Sequence, residues 1–293
     1  MILVVGATGM LGKEICRRLC ERGASVRGLV RRGSLKETDL TGMGVEIAYG
    51  DLKEPVSIEE ACRGVQCVVS TANSMMSRKS GDSFQAVDGD GHLGLVAAAE
   101  KAGIEHFVYV SVSPNSPDCV FFRCKRDVEQ ALRDSKMAWT VLQASAFMET
   151  FFTKMGGWNF QKGVVRSLSS GHTPTSYVSR NDVAAFAVMA TENPAMRGRT
   201  IPVGGPEALT VVEAAEVFGE VRGAPIKVKP MPIGLLKTAG LFIRPFSERA
   251  KMIVSLLGKE NPDVIDMEPV VSEFPVKLTS LREFATRILD KPQ

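Results

Sequence analysis

The chain has 293 residues, 44% hydrophobic and 24% charged, with a formal net charge of +3. This is a globular composition, long enough for one large domain or a domain with an appended lobe, and so slight a basic excess gives no support to a nucleic-acid or membrane-surface binder. Six cysteines without a CxxC pair read as reduced thiols of a cytosolic-type protein rather than a disulfide framework or a zinc site.

The N-terminal run Ile2-Leu3-Val4-Val5 is too short for a signal peptide or a membrane span and has the length of a buried parallel strand. A cytoplasmic location follows, or an organellar stroma or matrix if a transit peptide has been removed. Gly6-Ala7-Thr8-Gly9-Met10-Leu11-Gly12 comes directly after that strand and opens a helix predicted from Met10 to Arg22, with Leu11, Ile15, Cys16 and Leu19 on one face. Each glycine of such a turn has a task. Gly6 permits the sharp bend, Gly9 lets backbone approach a pyrophosphate, and Gly12 lets the helix pack on the strand. The helix start then offers open N–H groups and a partial positive charge to phosphate. Cys16 and Cys20, four apart, suit core packing.

Further strands are expected at Ser25–Val30, Val45–Tyr49, Cys67–Ser70, His106–Val110 and Trp139–Leu142. Helices are expected at Ser57–Arg63, Phe84–Ala102 and Lys125–Ser135, with Gly23, Gly64 and Gly103 as C-terminal caps. Such alternation predicts an α/β fold, a Rossmann-type doubly wound parallel sheet. The second strand ends in Arg31-Arg32, with Ser34 and Lys36 following and no acid before Glu37. An Asp or Glu there would hold the ribose 2′-hydroxyl of NAD. Guanidinium groups instead suit the 2′-phosphate of NADP(H), against the alternative of a solvated basic loop. Asp51 and Leu52 after the third strand suit an adenine amino group and ring, or a helix cap. Thr71, Ala72 and Asn73 after the fourth suit the nicotinamide-side ribose. Ala144 and Ser145 end the sixth, at the carboxyl edge where α/β folds bind ligands. Phe121, Phe147, Met148 and Phe151 are candidates for an apolar substrate wall, or for packing of the second lobe. Tyr49 and Tyr109 lie within strands and read as core. His92 reads as a packed helix histidine, and no metal-ligand spacing is present.

After about residue 150 the pattern loosens into a smaller lobe, giving a dinucleotide-binding core at 1–150 and a substrate or partner lobe at 151–293. Asp182 is expected to cap a helix over Val183–Thr191. Thr210-x-x-Glu213 and Ser280-x-x-Glu283 read as capping boxes. The stretch from Pro230 to Gly258 reads as amphipathic helix interrupted by Gly240 and Pro245.

Taken together, Val4-Val5-Gly6-Ala7-Thr8-Gly9-x-x-Gly12, Gly50-Asp51-Leu52, Ala102-Gly103-Ile104-x-His106-Phe107-Val108-Tyr109-Val110-Ser111, Trp139-Thr140-Val141-Leu142 and Val178-x-x-x-Asp182-Val183-Ala184 resemble the NmrA-like branch of the atypical short-chain dehydrogenase/reductase superfamily, over nearly the whole chain. The resemblance implies one Rossmann unit with a small lobe and NADP(H) as ligand, but not one reaction: the branch holds reductases, redox sensors and complex-assembly factors. It also implies a Tyr-x-x-x-Lys pair, in which tyrosine donates a proton and lysine holds the ribose. Here the segment is Phe121-Phe122-Arg123-Cys124-Lys125, so the lysine is kept and the phenol is not. Ser111 stands where the superfamily places a substrate-positioning serine. The expectation is an NADPH-dependent reductase of a small apolar acceptor such as a quinone or enone, carried by Lys125 and Ser111. The alternative is a non-catalytic NADP(H)-binding regulator, redox sensor or assembly factor with a protein partner.

Overall fold

A computed structural model describes residues 1–77, 79–167, 170–231, 252 and 261–290. Most of the expected Pro230–Gly258 helix lies outside the described residues. The elements that position the site are β1 (Ile2–Val5), α1 (Met10–Glu21), β2 (Val26–Val30), α2 (Glu37–Thr41), β3 (Glu46–Tyr49), α3 (Pro55–Cys62) and β4 (Cys67–Ser70). After β4 a π-helical segment, Phe84–Gly91, runs on into α4 (His92–Lys101), followed by β5 (His106–Val112), α5 (Val120–Asp134) and β6 (Ala138–Ala144). Later come α6 (Met148–Phe151), β7 (Trp158–Asn159), β8 (Val164–Ser167), α7 (Arg180–Glu192), β9 (Arg199–Val203), α8 (Val211–Arg222), β10 (Lys227–Pro230), α9 (Glu268–Glu273) and α10 (Leu281–Leu289).

Seven strands form one parallel sheet in the order β3-β2-β1-β4-β5-β6-β9. The order reverses between β1, paired Ile2 to Cys67, and β4, so the two carboxyl ends flank the crevice where doubly wound folds take their ligands. Strand alternation explains one face of the core. Leu3, Val5, Val68, Phe107, Tyr109 and Val141 meet Ile58 and Cys62 of α3, Leu95 and Ala99 of α4, and Val128 and Leu132 of α5. The helix α1 buries Ile15, Cys16 and Leu19 as the sequence predicts, but Gly12 takes the fourth buried place and Leu11 is only half-buried. Burial pushes the Cys16 thiol up to about 12, so it is a packing group and not a nucleophile.

The chain divides into two compact units. The first comprises Met1–Val112, Val120–Gln143 and Val183–Ile201; the second comprises Ser113–Cys119, Ala144–Asp182 and Pro202–Gln293. The sequence suggests one cut near residue 150, whereas the chain crosses between units several times because α7 and β9 return to the sheet after the second excursion. The second unit has its own three-stranded sheet, β10-β8-β7, and an aromatic core of Phe152, Trp158, Tyr177, Phe218 and Phe284.

Both capping boxes form, at Thr210 with Glu213 and at Ser280 with Glu283. Asp182 is a correction. Its helix begins at Arg180, and the Asp182 carboxylate accepts from the N–H and hydroxyl of Thr279, both at 2.7 Å. Tyr49 is a second correction. As the last residue of the edge strand β3 it is exposed, and its ring lies under the Arg32 guanidinium at 4.7 Å. No helix among the described residues is long and apolar enough to cross a membrane.

Candidate functional site

The glycine turn has the geometry its sequence predicts. Gly6 sits at φ +89°, and a Cβ there would stand 2.8 Å from the Ala72 nitrogen. A Cβ on Gly12 would stand 2.2 Å from the Gly6 carbonyl oxygen, so α1 touches the turn through bare backbone. A Cβ on Gly9, by contrast, would meet only the Gly6 oxygen, at 3.1 Å, leaving open space over the head of the helix. Gly9 caps α1 without any side-chain hydrogen bond, and the first turn, which includes Met10, Leu11 and Gly12, carries no acid. Open N–H groups, exposed Met10 and the absence of a competing carboxylate make this a cradle that fits a dinucleotide diphosphate. Ala7 is fully buried and braces the turn, and the Thr8 carbonyl accepts from Lys36 Nζ at 3.2 Å. The other lip of the crevice is built by Thr71, whose N–H donates to Val5 O at 2.9 Å, and by Asn73, whose side chain accepts from the Met75 N–H.

Around the end of β2 lies a set of charges only partly foreseen. Arg31 Nη1 donates to Asp82 Oδ2 at 2.7 Å, and Lys53 Nζ donates to Asp82 Oδ1 at 2.6 Å. The Ser77 hydroxyl also donates to Asp82. Burial would raise the Asp82 carboxyl, but these donors outweigh it and bring it down to about 2. Asp51 accepts from the Lys53 N–H at 3.1 Å and from Lys79 Nζ at 3.0 Å. It therefore closes a turn instead of capping α3, and Leu52 beside it is buried.

The second focus lies under the crevice. Lys125 on α5 is almost fully buried, with Nζ 3.4 Å from the Ala72 carbonyl, 3.8 Å from Asp88 Oδ1 and 4.9 Å from the centroid of the Tyr109 ring. Asp88 is held by the Ser74 N–H at 3.0 Å and its hydroxyl at 2.7 Å, both on Oδ2, so Oδ1 faces the ammonium without a hydrogen bond among the described residues. Burial lowers the Lys125 pKa against the pull of Asp88, and burial raises that of Asp88 against the pull of Lys125. Opposed shifts within one pair mean that desolvation outweighs an attraction acting across 3.8 Å. The Tyr109 hydroxyl is buried without a hydrogen-bond partner among the described residues, and burial drives its pKa well upward.

Asp88 and Tyr109 were not anticipated as site residues. A signal was present: Phe84, Asp88 and His92 are spaced by four, which puts a carboxylate on an apolar helical stripe. That segment is a π-helix, a form that frequently marks functional sites. Phe121 stands at the position where the resemblance implies a phenol. It is buried against Phe84 with ring centroids 5.1 Å apart.

His92 packs as expected. Val87 O accepts from Nδ1 at 2.7 Å, so that nitrogen carries the proton and Nε2, 2.9 Å away, accepts from the Ser70 hydroxyl. Burial, followed by the charge of Lys125, holds its pKa at about 3. The unfolded chain therefore takes up this proton first as pH falls. The stability contributed by neutral His92 is complete above pH 6.5 and is lost towards pH 3, at about 1.4 kcal/mol per pH unit. Between pH 7 and pH 5, wild type should lose about 2 kcal/mol more than His92→Gln in urea unfolding. Parallel slopes for the two proteins would contradict this.

The other expected site residues are placed as follows. The Ser111 hydroxyl is buried and donates to Glu129 Oε1 at 2.5 Å, so its proton is engaged within the fold. Within the second unit, buried Ala144 ends β6, and the Ser145 hydroxyl donates to Asp263 at 2.6 Å. Asp263 also takes the Ser113 hydroxyl and, at 3.3 Å, the Asn115 amide, so this carboxylate gathers the loops after β5 and β6. Met148 is buried in the aromatic core, Phe151 stacks on Tyr177 at 4.6 Å, and Phe147 is half-buried at the start of α6. Among the described residues, no group of three His, Cys, Asp or Glu side chains is arranged to hold a metal ion.

A family model described as the NmrA-like family matches residues 1–285. The chain belongs to the NmrA-like family. Among its relatives is a (4-alkanoyl-5-oxo-2,5-dihydrofuran-3-yl)methyl phosphate reductase from Streptomyces griseus, 35% identical over 82% of this chain and 80% of the relative. Another is a photosystem II assembly factor from Synechocystis, 28% identical over 99% of this chain and 92% of the relative. In fold, this NmrA-like chain is similar to an NADPH-dependent quinone oxidoreductase from Escherichia coli solved with NADPH. The TM-score is 0.80 at 19% identity, covering 99% of this chain and all of the other.

Proposed function

We propose that this NmrA-like protein is an NADPH-dependent reductase of a small apolar acceptor of the quinone or enone class. The observation that carries the reading is the buried Lys125, fixed beside the Ala72 carbonyl at the carboxyl end of β4 and opposite the glycine cradle. Gly9 and the first turn of α1 would hold the diphosphate, Arg31, Arg32 and Lys36 the extra phosphate, and Lys125 the nicotinamide-side ribose. NADPH, when bound, supplies the hydride. Lys125 Nζ keeps a proton that burial makes easier to release, so it can serve both as a donor to ribose and as a proton source near the reacting oxygen. The missing phenol suits acceptors whose reduced oxygens need little acid help. The Streptomyces relative supports the enone part of this reading, since the compound in its name is an unsaturated oxo-dihydrofuran, although there it carries a phosphate.

The test is NADPH oxidation against a panel of quinones and enones. Turnover with at least one of them, above the rate without protein, is the expected result. Tight NADPH binding with no turnover on any acceptor would favour a second reading, an NADP(H)-binding assembly or regulatory protein. Phe121 at the phenol position and the Synechocystis relative support that alternative.

A further inference from the structure

We propose that Asp82 is a specificity-positioning residue, which holds the Arg31 guanidinium in the pose that selects a 2′-phosphorylated adenosine. The inference rests on the NADP(H) reading above and adds to it a residue that no dinucleotide-binding pattern in the sequence indicates. Arg31 is a long, half-exposed side chain at the end of β2, and a free arginine there would lose rotamer freedom on gripping a phosphate. Here the ordering is done before any ligand arrives. The Asp82 side chain is only 2% exposed, and it is itself fixed by Lys53 and by the Ser77 hydroxyl, so it is a rigid anchor. Only Nη1 of Arg31 is given to it, which leaves the rest of the planar fork for a second oxygen anion.

The charge count agrees. One carboxylate faces two cations, Arg31 and Lys53, so the cluster stays positive even though the pair is made. Arg32 and Lys36 add to the positive field close by, the latter tied to the glycine turn through Thr8, and Glu37, which accepts from the Tyr49 hydroxyl, offsets only one of them. The neighbouring Asp51 is neutralised separately by Lys79. A 2′-phosphate therefore meets a preorganised cation, whereas a bare ribose hydroxyl gains little from it. Asp82 acts through Arg31 and has no need to touch the ligand.

The experiment is calorimetry of wild type, Asp82→Asn, Arg31→Ala and the double variant with NADPH and NADH, and with adenosine 2′,5′-bisphosphate and adenosine 5′-monophosphate as half-ligands. Asp82→Asn should weaken NADPH and the bisphosphate about ten-fold and leave NADH and the monophosphate within about two-fold. Added to Arg31→Ala, it should weaken NADPH no further. Unchanged or tighter NADPH binding by Asp82→Asn overturns the proposal, as does an equal loss for both cofactors or an undiminished loss in the Arg31→Ala background. Should Asp82→Asn melt far below wild type, Arg31→Lys carries the test. It keeps the charge without the fork and should also cost about ten-fold for NADPH alone; an unaltered preference there overturns the proposal. Wild type binding neither dinucleotide would instead bring down the cofactor reading itself.

Discussion

Gly12→Ala should abolish dinucleotide binding in calorimetry and lower the unfolding free energy by about 1–3 kcal/mol, the usual cost of overpacking. The added methyl would sit 2.2 Å from the Gly6 oxygen, 2.8 Å from the Gly6 carbonyl carbon and 3.0 Å from the Ala7 Cα. All three neighbours are backbone, so no side chain can swing aside. Either α1 backs away from β1, opening the core at Ile15 and Leu19, or the turn deforms and the cradle at Gly9 loses its shape. The two readouts, urea unfolding and ligand titration, should fall together. A variant with wild-type stability and affinity would mean that the helix and turn are not in the contact described.

Lys125→Ala should cost about 10²–10⁴-fold in kcat if Lys125 supplies the proton. Lys125→Arg should restore part of the NADPH affinity but little of the rate, since a guanidinium does not give up its proton near neutrality. The fold should survive Lys125→Ala, because Asp88, raised by burial and deprived of its cation, can take up a proton instead of remaining a bare buried charge. Steady-state kinetics with the best acceptor from the panel, alongside NADPH titration, measures both quantities. Equal turnover in wild type and Lys125→Ala would remove the lysine from the chemistry.

Much of this was written into the chain at short range. The glycine turn, the first six strands and the two capping boxes each depend on residues no more than six positions apart and lie within two residues of where the sequence puts them, whereas β9 and the strands of the second unit are not read from the sequence. The misses depend on distance along the chain. Asp182 resembles an N-cap until Thr279, 97 residues away, is found holding its carboxylate. Tyr49 reads as core until the sheet order makes β3 an edge. Ser111 and Ser145 stand at strand ends as ligand-binding serines often do, yet Glu129 and Asp263 have already engaged their hydroxyls. Asp82 and Asp88 lie between β4 and the end of the π-helix, and only folding shows that one faces Arg31 and the other Lys125. Asp88 is marked locally only by its four-residue spacing from Phe84 and His92, and Asp82 carries no such mark.

The π-helix at Phe84–Gly91 sets a rule for insertions and deletions. Removing any one residue from it would let the hydrogen-bond ladder run on as ordinary α-helix into His92, with no gap in the backbone. Every side chain before the deletion would then be rotated by about 100° relative to those after it. A codon lost between Asp88 and His92 would keep the helix content seen by circular dichroism while turning the acid away from its ammonium. Natural or engineered length variants in this stretch should thus divide by register, with well-folded chains among those that have lost the alignment of the pair.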